Sequence, residues 1–187
     1  MDEKEEYFVG SLGDAYVDFK RNELQVYQKN LQWLEAFNEL LFEIFKVKGK
    51  IFKRNVFWLR KRNKSMISSL KQLLNETPQT EYYVAGLFDT EGSYYLSSDR
   101  TTPVIDFTQC CDGLFRLNFA RAILERDGIV CKLNGPYNHK HGKLPQYHLR
   151  IYGKKNFEKF KKLVPFKHPD KINKMKTLTV QTLSLLR

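Results

Sequence analysis

From Trp33 to Phe45 apolar side chains recur at helical spacing. Trp33, Leu34, Phe37, Leu40, Leu41, Ile44 and Phe45 fall on one stripe of a helix. Phe115, Phe119, Ile123 and Leu124 do the same further along. Both sets predict core-facing helices. Each ends near a glycine, Gly49 or Gly128, where a helix can stop. Other stretches alternate with period two. Residues 16–20 and 24–27 read as strands joined by a short turn at 20–23. Residues 93–98 and 104–108 read the same way, with Pro103 in the loop between them.

These patterns occur twice. FWLRKRNKSMISSLKQLL from Phe57 aligns with YHLRIYGKKNFEKFKKLV from Tyr147, so that Leu59 matches Leu149 and Arg60 matches Arg150. Each reads as strand, turn and basic amphipathic helix. LQVYQKN from Leu24 resembles IDFTQCC from Ile105, matching Gln28 to Gln109. YFVGSLGDAYVDF from Tyr7 resembles YYVAGLFDTEGSYYL from Tyr82. The expected order is helix, strand, strand, helix, strand, strand, helix in each copy. The copies would span 1–76 and 81–187, with a linker at 77–80. In the linker Pro78 forbids a continuing helix, and Thr80 is placed to cap the next one. One copy alone leaves an unfinished core, so the two are expected to pair about a pseudo-two-fold axis.

Charge changes the picture next. The chain of 187 residues carries 32 Lys+Arg against 21 Asp+Glu, a formal charge of +11. With 42% apolar residues it has enough material for a core, which excludes disorder driven by charge. No apolar run is long enough for a membrane helix. The opening MDEKEEYF lacks the apolar stretch of a secretion signal. Cys110, Cys111 and Cys131 fit neither a disulfide framework nor a zinc motif. The expectation is an intracellular, cytoplasmic protein with a polyanionic partner and no membrane. Residues 46–64 hold nine basic residues and no acid, and residues 132–176 hold thirteen against two acids. Aromatic and β-branched residues, including Phe52, Phe57, Trp58 and Tyr147, interleave with them. That mixture suits a sheet with one apolar and one basic face, able to neutralise several phosphates.

The most specific signal is VAGLFDTEG, from Val84 to Gly92. It resembles the LAGLIDADG motif, with Ala85, Gly86, Leu87, Asp89 and Gly92 matching letter for letter and Glu91 standing for the final acid. The first copy, FVGSLGDA from Phe8, is more degenerate. If Asp14 is its acid, Gly10 lies one position off the usual glycine, so the helix should be shifted or tighter there. Small residues at Gly10, Gly13, Ala85 and Gly86 let two helix backbones approach closely. An acid at each helix C-terminus meets the negative end of the macrodipole, and two such acids repel each other. A hard divalent cation relieves both, with Mg²⁺ the best fit and Mn²⁺ able to substitute. Backbone carbonyls of Gly13 and Thr90 are further candidate ligands.

The chain is therefore identified as resembling the single-chain, two-repeat LAGLIDADG homing endonucleases, of the compact type encoded in archaeal ribosomal RNA introns. The resemblance implies an α+β fold of tandem αββαββα repeats, in which the motif helices join two antiparallel saddle-shaped sheets. It implies a monomer from a prokaryotic or archaeal host. It further implies metal-dependent hydrolysis of both strands of a long DNA site, leaving a staggered cut with 3′ overhangs. Asp14 and Glu91 would bind metal and each serve one strand. Gln28 and Gln109 would order water. Lys29 follows Gln28 but Cys110 follows Gln109, so the two sites should be unequal. Lys171, with Lys167 second, is the candidate for a lysine that polarises phosphate or water.

Alternation along the remaining strands proposes the DNA-reading residues. In the first copy these are Asp18, Lys20, Arg21, Glu23, Gln25, Lys48, Lys50, Lys53, Arg54, Arg60 and Arg62. In the second they are Tyr94, Arg100, Asn138, His139, Lys140, Lys143, Gln146, His148 and Arg150. Arg and Lys suit guanine edges, Asn and Gln suit adenine, and acids accept from cytosine. Two other functions use the same fold and charge. One is an RNA maturase acting on host intron RNA, and the other is a DNA-binding relative that has lost cleavage.

Overall fold

A computed structural model describes residues 1–98, 102–138 and 144–184, with the side chains described through Thr177. The first half runs α1 (Glu3–Gly10), a 3₁₀ turn (Ser11–Asp14), β1 (Ala15–Asp18), β2 (Glu23–Gln28), α2 (Leu31–Phe45), β3 (Lys50–Lys53), β4 (Phe57–Arg62) and α3 (Lys64–Leu73). The second runs α4 (Glu81–Glu91), β5 (Gly92–Leu96), β6 (Pro103–Cys110), a 3₁₀ turn, α5 (Leu114–Arg126), β7 (Cys131–Tyr137), β8 (Gln146–Tyr152), α6 (Lys154–Leu163) and α7 (Pro169–Ser184). The αββαββα order is present twice, and α7 is an addition to the second copy. Each copy forms one antiparallel four-stranded sheet, ordered β1-β2-β4-β3 and β5-β6-β8-β7.

Local chemistry accounts for most element boundaries. Asp2 caps α1 in a capping box with Glu5, and Asn30 and Asn63 cap α2 and α3. Gly128 adopts the left-handed conformation just past α5, as expected. Gly49 does not play that part. Lys46 takes the left-handed position after α2 (φ 57°), and Gly49 is instead held through both backbone groups by the Asn38 amide. Thr80 sits at the N-cap of α4, but its side chain makes no cap bond. Its hydroxyl and its N–H, together with the N–H of Gln79, donate to the carboxylate of Glu6 on α1. Glu6 is buried, so an acid of the first copy secures the start of the second copy's helix.

One apolar core runs through both halves. Leu24, Val26 and Leu59 line the helix-facing side of the first sheet, and Ile105, Phe107, Leu149 and Ile151 line that of the second. The helical stripe of α2 is buried as expected, with Ile44 and Phe45 packed at its margin. On α5 the expectation fails at Phe115, which is 53% exposed. It lies in the first turn and meets the core only edge-on, through Phe119.

The motif helices α1 and α4 pack against each other at the centre. A Cβ added at Gly10 would stand 2.1 Å from the Tyr83 carbonyl oxygen, and one at Gly86 would stand 2.1 Å from that of Tyr7. Side chains essentially never come that close, so glycine is required at both points of the crossing. Below the crossing the copies diverge. After Gly86 the α-helix continues five residues to Glu91. After Gly10 the chain tightens into the 3₁₀ turn that ends at Asp14. Four 3₁₀ steps rise about 8 Å and five α steps about 7.5 Å. The tighter winding therefore offsets the missing residue and brings both acids to the same depth.

Candidate active site

Asp14 and Glu91 meet beneath the crossing. Gly13 lies directly against Glu91: a Cβ there would stand 2.8 Å from Glu91 Oε1 and 2.7 Å from Thr90 Oγ1. Both acids are largely withdrawn from water. Burial, reinforced by the charge of Glu91, pushes the Asp14 carboxyl up to about 6, while Lys171 opposes the shift. Burial also raises Glu91, against the pull of Gln109, Arg116 and Lys171. Each acid thus has a glutamine beside it. Gln28 Nε2 donates to Asp14 Oδ2 at 3.2 Å. Gln109 stands beside Glu91 at the end of β6.

Lys171, in the first turn of α7, sits among three carboxylates: Asp89, Asp14 and Glu91. Its ammonium donates to the Phe88 carbonyl, and burial lowers it to about 8 despite those acids. Lys167 lies elsewhere, over the Tyr7 ring at 4.7 Å. Lys29 does not join the group. Its side chain is exposed, its backbone N–H donates to Gln28 Oε1, and the cation acting on Asp14 is Lys171.

Two participants escaped the sequence reading. Asp89, the first acid of the motif, is fully buried. Its Oδ2 accepts from the Tyr7 hydroxyl at 2.6 Å and the Lys167 N–H at 2.7 Å, tying α1 to the segment that delivers Lys171. Its motif position was visible, but the identity of its partners was not. Arg116, in the first turn of α5, bears on Glu91 and has a buried nitrogen without a partner. No counterpart in the first copy pointed to it.

The donors fit one kind of metal. Among the described residues no group of three or more His, Cys, Asp or Glu side chains could enclose an ion. Two adjacent carboxylates suit Mg²⁺, which binds through one or two acids and leaves its other positions to water and phosphate. The Thr90 hydroxyl bonds back to its own helix, at Gly86 and Leu87, so only its carbonyl could add a ligand.

On either side of this centre each sheet shows one face free of helices, and register assigns residues to it. In the first sheet Tyr16, Gln25, Arg60 and Lys50 form one row across the strands. Tyr27, Trp58 and Phe52 form the next. In the second sheet the corresponding rows are Ser93, Asp106, Arg150 and Lys132, then Thr108, His148 and Asn134. Glu23 and Arg62 pair on the first face, and Gln146 lies on the second.

Several proposed readers are placed otherwise. Tyr94 is 1% exposed beneath the sheet, with its hydroxyl on the Lys171 carbonyl. Strand β5 begins at Gly92, so alternation turns Tyr94 inward and leaves Tyr95 outward. Lys53 shares its side of the sheet with Ile51 and Leu59, and Lys48 is paired with Glu39 of α2. Asp18 is occupied by its hairpin, accepting from the N–H groups of Lys20 and Arg21 at the exposed tip. Glu23 is 2% exposed and binds Arg60 and Arg62, which hold its carboxyl down at about 2. In the second sheet Asp106 accepts from Arg150 at 2.9 Å and contacts His148 Nδ1 at 2.9 Å. Arg54 sits in the β3–β4 loop and Asn138 is exposed after β7. Arg100, His139, Lys140 and Lys143 lie outside the described residues.

A model of a LAGLIDADG-like domain matches residues 78–165. The second half of the chain carries a LAGLIDADG-like domain. Solved structures extend the likeness to the whole chain. A mesophilic variant of the homing endonuclease I-DmoI superimposes with a TM-score of 0.63 at 19% identity, covering 84% of this chain and 92% of that one. I-DmoI in complex with DNA and Mn gives 0.63 at 19%, covering 89% and 98%. The LAGLIDADG homing endonuclease I-LtrWI bound to target DNA gives 0.64 at 9%, covering 98% and 90%. No curated protein matches the chain in sequence. At these identities the likeness establishes the fold: two four-stranded sheets joined by a LAGLIDADG helix pair.

Proposed function

We propose that the protein is a site-specific endonuclease that hydrolyses both strands of a DNA duplex, acting as a monomer. The observation that carries this reading is the pair Asp14 and Glu91, held at one depth between two open sheet faces that present arginine and lysine. Asp14 serves one strand and Glu91 the other, and the products carry 3′ overhangs. The two acids hold Mg²⁺, or Mn²⁺ in its place, with the Gly13 and Thr90 carbonyls as further ligands. When bound, such an ion polarises a phosphate oxygen and lowers the pKa of its water.

The remaining chemistry belongs to the side chains. Gln28 and Gln109 orient water beside each acid. Lys171 lies within reach of both and stabilises negative charge that develops on the scissile phosphate. The burial that raises both carboxyls also excludes bulk water, which strengthens these interactions.

The test joins the DNA that flanks the gene into an uninterrupted sequence and offers it on a plasmid with Mg²⁺. Linear product with 3′ overhangs is expected, and EDTA should abolish it. Unchanged cutting by a variant carrying both Asp14→Asn and Glu91→Gln would overturn the assignment.

A further inference from the structure

The two open faces have the same register but opposite chemistry in one row. Tyr27, Trp58 and Phe52 cross the first sheet where Thr108, His148 and Asn134 cross the second. Tyr27 and Trp58 lie parallel at 6.0 Å between centroids, and Phe52 meets Trp58 at 4.9 Å. Tyr27 is 43% and Phe52 40% exposed, so a contiguous apolar strip stands open to solvent. Tyr27 and Trp58, but not Phe52, line a cavity of about 310 Å³ together with Val56, Gln25, Arg54, Asn55 and Arg60. An apolar strip edged by two arginines is built for a polyanion that also offers an apolar group.

We infer that this aromatic row reads thymine 5-methyl groups in the major groove of the half-site bound by the first sheet, whereas the matching row of the second sheet, Thr108, His148 and Asn134, meets its half-site with polar groups. The inference rests on the proposed DNA-binding function and names how one half of the site is recognised. Thymine is the only base whose major-groove edge carries a methyl. The geometry favours a methyl over a stacked, unpaired base. Tyr27 and Trp58 already spend facing ring surfaces on each other, and side chains stand roughly perpendicular to a sheet. What they present outward is ring edge. The adjacent polar groups are engaged as well: the Tyr27 hydroxyl donates to Gln25, whose amide donates to Glu23. In the second sheet Thr108 and His148 are joined at 3.2 Å and Tyr137 meets the His148 ring edge-on at 5.3 Å. The exposed Tyr95 and Tyr152 lie in a different row, on either side of the buried Val104, with the Tyr95 hydroxyl on Asp106.

The experiment begins by selecting bound duplexes from a randomised pool with the full-length protein in metal-free buffer. The preferred duplex is then remade with deoxyuridine for thymidine in one half or the other. Binding is expected to weaken about fourfold for each methyl lost in one half only. A Phe52→Asn, Trp58→His variant, which copies the second sheet's row onto the exposed Phe52 and the half-buried Trp58, should lose that dependence and bind the thymine and uracil duplexes equally. Equal losses in both halves, no loss in either, no thymine in the selected half, or a variant that keeps the dependence would each overturn the inference. Failure to enrich any duplex would overturn the DNA-binding reading itself, and that outcome is distinct from enrichment without methyl dependence.

Discussion

In the first half four residues of 3₁₀ helix lead from Gly10 to Asp14, whereas in the second five residues of α-helix lead from Gly86 to Glu91. The acids arrive together, yet their supports differ. Asp14 is met by Gln28 and then by an exposed Lys29. Glu91 has Gln109, Arg116 and a following cysteine. What is held in common is the crossing and the depth of the carboxylates. What varies is the winding that reaches them and the cations around them. Pseudo-symmetry here is a constraint on where two groups end, not on how the chain gets there.

The sharpest way to break the comparison is to remove one acid at a time. Asp14→Asn and Glu91→Gln should each slow cleavage of a different strand on the order of 10³-fold, leaving nicked circles. Strand-labelled gels decide it, and loss of both cuts from either change would mean the acids act as one site. Next come the crossing glycines. Gly10→Ala and Gly86→Ala each force a Cβ onto a backbone oxygen and should cost about 3 kcal/mol in urea unfolding. A much smaller loss at Gly10 would show that the shortened motif leaves slack there.

A single alanine inserted between Leu12 and Gly13 addresses the winding. It should rotate Asp14 away from Glu91 and cost its strand about 10²-fold, with the other strand still cut. The smallest effect concerns pH. Asp14 titrates near 6 in the folded protein, well above an ordinary carboxylate. The folded state therefore binds this proton more tightly, and stability falls as pH rises from about 4 through 6. In EDTA at pH 7.5, Asp14→Asn should gain about 1–2 kcal/mol, or about 3–6 °C in Tm. The gain should vanish at pH 3.5, and a gain persisting there would locate the strain elsewhere.

Much of this arrangement was legible in the sequence because it depends on residues close together in the chain. The glycines, the terminal acids and the match of Arg60 to Arg150 are local signals, and the missing residue before Asp14 already implied a tighter turn. What could not be read depends on partners distant in sequence or on a one-residue phase. Tyr94 and Tyr95 are chemically alike, and only the start of β5 at Gly92 decides which faces out. Glu23 looked free to meet a base, but Arg60 and Arg62, two strands' worth of sequence away, claim it. Asp89 is joined to Tyr7 and Lys167 across 82 and 78 residues. The aromatic row was visible as composition and became a surface only through strand register.

The bond network of Glu6 bears on how such a chain can be rearranged. Since this carboxylate secures the entry to α4, the first half leaves the ribosome already carrying a fixture that the second half needs. The dependence runs one way, because Asp2 secures α1 from within its own segment. Two copies of the second half would lack that fixture at both helix starts. Shuffling halves between relatives should therefore succeed more readily when the donor of the first half brings an acid at this position.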